Sequence, residues 1–521
     1  MTPKPPHIIL VVLDTVGAGH LSLYGYERPT TPHLEQMARE CTVYTRCFAP
    51  GCWTVPSHGS MFTGLYPSQH GAAENSLMLR DNLPHLVSVL KAMGYHTMGI
   101  SSNSLVSPAT GLCQDFDEFF DLGGGEISHL LGHQEPPEEE GREDDLTRRW
   151  RQAVRASEML QAAFAQVRQP RGLPRLLRRA SQLVGRWAAK TFRPSPLDNA
   201  TPYTRKTLRL MQRLWDRPAW RETPFFLFVN CLQAHHDYRP PRWHRRFSRW
   251  HEGATVSPLR FYRRQPSPAL DRLVARYTNL YDDEIFYLDR LLGRIWARLR
   301  RYPWFEDAVV IITSDHGEHL GEKGHFTHIL SLYNELLWVP LIIRYPGGVA
   351  APGRTDDRLV CLTDLYATIL DLVDSPLPRP DSSWSLLAPP GREAVVAQIL
   401  RPEMWRVSLA NLKAARRERG EDFSPPQFAL ITEGGLKLIS RQDGGLEVYD
   451  LRTDMAEVQD LAPTLAPQVV EHYRSLVELW KQDTGFAEVV TLPQAHNWQG
   501  RATFSGKMPN PQAASTSCSG A

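Results

Sequence analysis

The sequence has few cysteines and no long apolar run, and each shortage excludes a class of protein. Its seven cysteines are scattered and show no CxxC spacing, which excludes a disulfide-stapled scaffold and a zinc ribbon and predicts reduced thiols. No stretch reaches the roughly 20 apolar residues of a membrane span. Residues 1–6 lead directly into an apolar run, without the core of a signal peptide. We therefore expect a cytoplasmic protein without a signal peptide or transmembrane segment.

A strong net charge is also missing. The formal net charge is +2 over 521 residues, and so small an excess argues against a nucleic-acid-binding surface. The hydrophobic content of 42% is that of a soluble globular chain. A chain of this length is too long for one ordinary domain and suits a large domain with a smaller second one. Nothing in the sequence indicates the oligomeric state.

Two apolar runs each end at acidic residues. Residues 7–13 lead to Asp14, and residues 308–314 lead to Asp315 and His316. Unbroken apolar runs of this length are typical of parallel strands that are covered on both faces. In such sheets ligands bind beyond the carboxyl ends of the strands. The three polar side chains are therefore expected to meet at one edge of the sheet.

A third segment, residues 52–64, predicts a short helix with a hydroxyl at its start. Thr54 is a suitable N-cap, Pro56 lies in the first turn, and Gly64 is suited to the position after the last turn. The free amides and the dipole of such a helix favour an anionic group near Thr54. Thr54 is therefore a candidate nucleophile, although a threonine before a proline also serves simply as a structural cap.

Taken together, these segments resemble the sulfatase branch of the alkaline phosphatase superfamily, in the family's order from about residue 7 to about residue 462. The matching segments are Asp14, Thr31-Pro32-His33-Leu34, Thr54-Val55-Pro56-Ser57 with Thr63-Gly64, residues 224–230, His235 to Tyr238 with Pro240-Pro241, Ser314-Asp315-His316-Gly317-Glu318, Val339-Pro340-Leu341 with Pro346-Gly347, and Tyr449-Asp450-Leu451 with Glu457. The resemblance implies an α/β, alkaline phosphatase-like fold. Such a fold has a large, mostly parallel central sheet with helices on both faces, and a smaller C-terminal α+β domain with antiparallel strands.

The sequence departs from the family pattern at four positions. Typical members carry Cys or Ser at the position of Thr54 and convert it to formylglycine, an aldehyde that threonine cannot form. His58 replaces an arginine, Thr15 replaces a second aspartate, and the family's lysine falls near His328. These differences weaken the prediction of sulfate-ester hydrolysis by the formylglycine route.

The predicted chemistry is metal-dependent ester cleavage. Asp14, Asp315, His316 and the Thr54 oxygen form a mixed oxygen and nitrogen ligand set, which favours zinc or manganese, with calcium as an alternative. A divalent cation lowers the pKa of a coordinated hydroxyl, so Thr54 would attack the ester as an alkoxide. His235 or His328 would protonate the leaving alcohol.

Two further histidines complete the predicted site. His58 and His325 are predicted to contact the substrate. His325 is also a candidate ligand for a second metal ion, although one ion is the primary expectation.

Three functions compete on this sequence. The first is hydrolysis of a sulfate or phosphate ester of a small molecule, lipid or glycan. The second is a phosphodiesterase, phosphonate hydrolase or phosphoethanolamine-type transferase, because a threonine with Asp, Asp and His ligands resembles those relatives. The third is a catalytically silent scaffold.

The chain is expected to divide into three parts. Residues 1–375 form the catalytic domain, with a basic helical insertion at about 146–197. Within it, residues 174–192 suit a helix that contacts an anionic membrane surface, or one that packs on the domain with solvated arginines. Residues 376–485 form the smaller domain, with three antiparallel strands between 428 and 449. Residues 486–521 are predicted to be a disordered tail.

Overall fold

The computed structural model describes residues 5–122, 201–249, 267–400 and 426–491, apart from positions 75, 222, 237, 329–330, 348 and 389–390. Its centre is an eight-stranded sheet in the order β10-β2-β9-β6-β1-β5-β3-β4. The strands are β1 Ile8–Leu13, β2 Thr42–Phe48, β3 His96–Ser101, β4 Glu118–Asp121, β5 Phe225–Cys231, β6 Val309–Thr313, β9 Leu341–Arg344 and β10 Arg354–Cys361. A separate two-residue ribbon pairs β7 His319–Leu320 with β8 Phe326–Thr327.

The central sheet is mostly parallel, as the sequence predicted. Only β9 runs antiparallel to its neighbours, β2 and β6. Side chains of β1 alternate between two hydrophobic cores, with Ile8, Leu10 and Val12 in one and Ile9, Val11 and Leu13 in the other. Both faces of the sheet are therefore covered, which explains why its strands are continuous apolar runs.

The described residues form ten α-helices. They are α1 Pro32–Met37, α2 Thr54–Thr63, α3 Pro67–His70, α4 Leu86–Ala92, α5 Thr201–Trp215, α6 Pro268–Leu299, α7 Asn334–Leu337, α8 Asp364–Leu372, α9 Pro467–Asp483 and α10 Phe486–Thr491. Among the described residues, no helix has the length and apolarity needed to cross a membrane. The predicted insertion at 146–197, including the basic segment 174–192, lies outside the described residues.

One predicted cap is wrong. The N-cap of α2 is Trp53, and Thr54 is the first helical residue. Trp53 has an extended backbone, with φ −155° and ψ 175°, and its side chain caps no amide. Thr54 therefore lies at the positive end of the helix, and its hydroxyl caps no amide. Gly64 ends the helix with φ 71°, as predicted.

A second sheet follows the central sheet along the chain. Four antiparallel strands, β11 Ala394–Ile399, β12 Gln427–Thr432, β13 Leu436–Arg441 and β14 Leu446–Asp450, pair in sequence order. The predicted hairpins are confirmed, and the sheet gains β11 at its edge. The predicted disordered tail is wrong for its first six residues, because Phe486–Thr491 is helical and Phe486 packs on Phe428 with ring centroids 5.2 Å apart. Residues 492–521 lie outside the described residues.

A buried ion pair joins the second sheet to the segment that follows the site. Lys437 Nζ of β13 lies 2.6 Å from Glu457 Oε1 and 2.8 Å from Asn334 Oδ1 of α7. Glu457 Oε2 accepts a hydrogen bond from the backbone N–H of Asn334 at 2.6 Å. Leu336 of α7 in turn accepts the backbone N–H of Gly317, the residue after His316. The ion pair therefore supports the backbone next to the candidate ligands.

Replacing Lys437 by methionine is expected to destabilise the protein by about 3–5 kcal/mol, because Glu457 would then be a buried carboxylate without a counter-charge. Calorimetry should show a melting temperature lowered by several degrees. The double variant Lys437→Met, Glu457→Gln removes both charges and should recover much of that loss. A Lys437→Met protein as stable as the wild type would contradict this role.

Candidate active site

Three metal-ligating side chains meet at the carboxyl ends of adjacent strands. Asp14 follows β1, and Asp315 and His316 follow β6. One ligand atom from each lies within 4.8 Å of the others, and all three residues are buried. The adjacent parallel pairing of β1 and β6 brings the three residues together. The prediction that they converge is confirmed.

A strained turn directly after Asp14 contacts the carboxylate of Asp315. Thr15 has φ 64°, a left-handed conformation that costs energy for a β-branched residue. In this conformation its N–H donates to Asp315 Oδ1 at 3.3 Å, and its carbonyl accepts the Tyr281 hydroxyl at 2.6 Å. The turn after β1 therefore orients the carboxylate that follows β6.

The Thr54 hydroxyl faces this cluster. Thr54 Oγ1 lies 3.4 Å from His316 Nε2 and 3.5 Å from Asn103 Nδ2. The same Asn103 amide donates to Asp14 Oδ2 at 2.8 Å. The first residue of α2 therefore contacts His316 directly and is linked to Asp14 through Asn103.

Two buried carboxylate oxygens of the cluster have no hydrogen-bond donor among the described residues. His316 Nδ1–H donates to the Gly317 carbonyl at 2.8 Å, so its Nε2 carries a lone pair. That lone pair faces Asp315 Oδ2 at 3.4 Å. Asp315 Oδ2 and Asp14 Oδ1 accept no hydrogen bond from any described residue. A shared proton or a bound cation would satisfy buried acceptors that face each other in this way.

Burial and neighbouring charges shift the pKa values of Asp315 and His316. Burial, followed by the negative charge of Asp14, raises the pKa of Asp315 well above its usual range. Burial, followed by the positive charge of His328, lowers the pKa of His316 well below its usual range. A neutral imidazole and two acidic oxygens are a ligand set for a divalent cation. The residues present fit such an ion on the evidence of their unpaired buried oxygens.

His58 lies within the protein framework of the site. Its Nδ1–H donates to the Thr54 carbonyl at 2.9 Å, and its Nε2 accepts the Asn230 amide at 3.4 Å. Asn230 also donates to Asp14 Oδ2 at 3.3 Å. Burial lowers the pKa of His58 to about 4, so the ring is neutral. His58 thus holds Thr54 and Asp14 in place, and its predicted substrate contact stays a prediction.

His328 and His235 lie together beside His316. The ring centroids of His328 and His316 are 4.7 Å apart, and those of His328 and His235 are 5.0 Å apart. His328 Nδ1 is 3.2 Å from Glu318 Oε1, and Tyr238 donates to the other Glu318 oxygen at 3.1 Å. The two predicted acids therefore lie beside the cluster, and one of them has a carboxylate partner.

The partners of the two histidines differ. Burial alone would lower the pKa of His328, but the charge of Glu318, the hydrogen bond to Glu318 and the charge of Asp14 together raise this pKa above its usual value. His235 Nδ1 donates to the His236 carbonyl at 2.6 Å, and burial, followed by the charge of His328, lowers its pKa. The two shifts therefore favour His328 over His235 as the ring that carries the extra proton.

Glu284 of α6 holds both ends of the loop that carries His235. Its Oε2 accepts from Gln233 Nε2 at 2.7 Å, and its Oε1 accepts the Arg239 N–H at 2.5 Å. Asp283, the preceding residue, accepts the N–H groups of Arg246, Phe247 and Ser248. Asp283 and Glu284 are buried, and they order the loops around the site.

His325 lies apart from the cluster. Its ring stacks on His319, with centroids 4.9 Å apart, and is 5.7 Å from the Tyr333 ring. It belongs to no group of three metal-ligating side chains among the described residues. Its predicted roles, substrate contact and ligation of a second ion, stay predictions.

Sequence reasoning missed three polar residues of the site, Asn103, Asn230 and Glu318. Asn230 lies near the end of β5, and Asn103 lies two residues after β3. Both strands are parallel to β1, so the argument that selected Asp14 also applies to them. The sequence indicated Glu318 less clearly, because it appears there only as the last residue of the segment that contains Asp315 and His316.

The fold and the site define the class of protein. A mostly parallel sheet, with buried Asp and His side chains that could hold a metal ion and a hydroxyl at a helix N-terminus beyond its strand ends, is the alkaline phosphatase-like arrangement. The family model described as Sulfatase matches residues 6–375. The chain belongs to the sulfatase family.

Individual relatives are distant but cover most of the chain. The chain is 22% identical to the uncharacterized sulfatase YidJ of Escherichia coli (strain K12) over 482 residues, which is 88% of this chain and 83% of that protein. It is 23% identical to N-acetylglucosamine-6-O-sulfatase of Bacteroides thetaiotaomicron over 406 residues, covering 74% and 70%. Among solved structures, the phosphonate monoester hydrolase of Agrobacterium radiobacter superposes with a TM-score of 0.59 at 18% identity, covering 92% and 96%. At that identity the likeness shows the fold.

Proposed function

We propose that this member of the sulfatase family hydrolyses a sulfate or phosphate-type ester by in-line attack of Thr54. The observation that supports this most strongly is the buried cluster of Asp14, Asp315 and His316, with two carboxylate oxygens unpaired among the described residues. The Thr54 hydroxyl lies 3.4 Å from His316 Nε2 of that cluster. Asp14, Asp315, His316 and Thr54 would hold one divalent cation, zinc or manganese before calcium. Such an ion lowers the pKa of a hydroxyl that it binds and attracts the oxygens of the ester.

The chain's own groups supply the remaining steps. Thr54 Oγ1 attacks the sulfur or phosphorus, and the bond to the leaving alcohol breaks. The amides at the start of α2 face the anionic oxygens. His328 donates its Nε2 proton to the leaving oxygen, while Nδ1 remains bonded to Glu318. Water then cleaves the ester on Thr54, which releases the anion and restores the hydroxyl.

The threonine at position 54 favours hydrolysis of phosphate or phosphonate esters, which is the second candidate function. A formylglycine diol has a second hydroxyl that expels sulfate, whereas a threonine ester must be opened by outside attack. The likeness to a phosphonate monoester hydrolase fold supports this alternative. Comparing turnover of p-nitrophenyl sulfate, p-nitrophenyl phosphate, p-nitrophenyl phenylphosphonate and bis(p-nitrophenyl) phosphate tests it. Bound metal without turnover of any ester would favour the silent scaffold.

Replacing His328 by glutamine is expected to slow cleavage of phenyl and alkyl esters by about 10²–10⁴-fold, because their leaving groups need a proton. The p-nitrophenyl ester should lose less than about tenfold, since its leaving group departs without one. The rate constants of a series of leaving groups measure this difference. His235→Gln is the comparison variant, and a leaving-group-dependent loss there, absent in His328→Gln, would assign the acid to His235.

A further inference from the structure

A tryptophan protrudes from a turn outside the active-site network. Trp243 is 95% exposed, the highest value among the large hydrophobic side chains of the described residues. It lies in the turn Arg242–His244. Tryptophan normally buries most of its large apolar surface. A tryptophan side chain that is this exposed indicates a binding surface.

Arginines from three elements surround this turn. The His244 ring packs on Tyr287 of α6, with centroids 4.8 Å apart. Arg290 and Arg294 lie three and seven positions further along α6, on the same helical face as Tyr287. Burial, followed by the positive charges of Arg290, Arg294 and Arg205 of α5, lowers the pKa of His244, which is consistent with the position of Arg290 and Arg294 on this helical face.

We name this surface the Trp243 patch and define it as Arg205, Arg242, Trp243, Arg290 and Arg294. Three of its arginines, Arg205, Arg242 and Arg294, are exposed. α5 itself carries four basic residues and no acidic one along Thr201–Trp215. The patch is therefore strongly positive on a chain whose overall charge is only +2.

We propose that the Trp243 patch binds the surface of an anionic lipid bilayer. The indole would enter the headgroup region, where tryptophan is favoured, while the arginines bind lipid phosphates. The shape favours a bilayer over a glycan chain. A protruding side chain can be surrounded by headgroups, whereas a sugar ring would contact only one of its faces.

The patch also lies close to the site. Tyr238, which binds Glu318 beside His328, precedes Trp243 by five residues, so even an extended chain would separate them by only about 17 Å. The docked membrane would therefore lie near the active site. This inference is independent of the chemistry proposed for Thr54.

Vesicle sedimentation tests the proposal without any enzyme assay. The full-length protein should bind phosphatidylcholine vesicles that contain phosphatidylglycerol, and added salt should release it. Trp243→Ala and the double variant Arg242→Glu, Arg294→Glu should each weaken binding by about tenfold or more. Trp384→Ala, which removes another exposed tryptophan (41%), should bind like the wild type. Circular dichroism checks that each variant is folded.

Several results would overturn the proposal. Absence of binding to anionic vesicles would do so, as would equal binding to pure phosphatidylcholine. Wild-type affinity in Trp243→Ala would show that the patch is not the contact. Retention on heparin without vesicle binding would assign the patch to an anionic glycan.

Discussion

A Thr54→Ala variant is expected to lose at least about 10³-fold in kcat/KM for every ester that the protein cleaves. Alanine has no oxygen to attack the ester, and the remaining groups can only bind and polarise the substrate. The fold should survive, because Thr54 uses its hydroxyl for no helix cap. Steady-state kinetics and circular dichroism on the same preparation measure both results.

Thr54→Ser is the matched control. Serine keeps the hydroxyl at the start of α2 and lacks only the methyl group, so its turnover should stay within about tenfold of the wild type. Near wild-type rates in Thr54→Ala would rule out the nucleophile. Equal, complete losses in both variants would indicate that the methyl group or the packing of α2 matters more than the oxygen.

Metal removal is expected to have the second large effect. A chelator should reduce turnover by at least about 10³-fold, and added zinc or manganese should restore it. It should also lower the melting temperature, since an ion present at about 100 times its Kd stabilises the folded state by about 2.7 kcal/mol. Without the ion, Asp14 and Asp315 would repel each other inside the protein. Metal analysis, activity and calorimetry before and after chelation measure these changes.

Asp315→Asn and Asp283→Asn form a matched pair for this prediction. Both aspartates are buried, but Asp283 accepts backbone amides of residues 246–248 and lies outside the metal-type cluster. Asp315→Asn should purify with little metal and no activity, whereas Asp283→Asn should retain both. Unchanged activity after complete chelation would contradict a metal-dependent reaction.

The sequence predicted the central sheet well because burial on both faces leaves a clear pattern. The run before Asp14 and the run before Asp315 are strands, and their register brings the two acids together. The single antiparallel strand, β9, has no such signal, because a buried strand has the same composition in either direction. Apolar spacing predicts a helix over residues 277–300. The observed helix begins earlier, at Pro268, because Ser267 caps it through the Leu270 amide.

The site was only partly predictable for a different reason. Asp14, Asp315 and His316 could be selected because they end apolar runs in a recognisable family pattern. The contacts of Asn103 with both Asp14 and Thr54 depend on how β3 lies in the sheet, which no local pattern encodes. The choice between His328 and His235 depends on Glu318, whose contact with His328 appears only in the folded chain.

The most direct measurement of the central claim is mass spectrometry of the acid-quenched enzyme during turnover. A variant that slows release of the anion, or a slow substrate, would let the covalent ester accumulate. We predict that the peptide containing Thr54 gains the mass of one sulfuryl or phosphoryl group, and that Thr54→Ala gains none. An adduct on another residue, or continued turnover with an unmodified Thr54 peptide under conditions that trap the intermediate, would contradict the account.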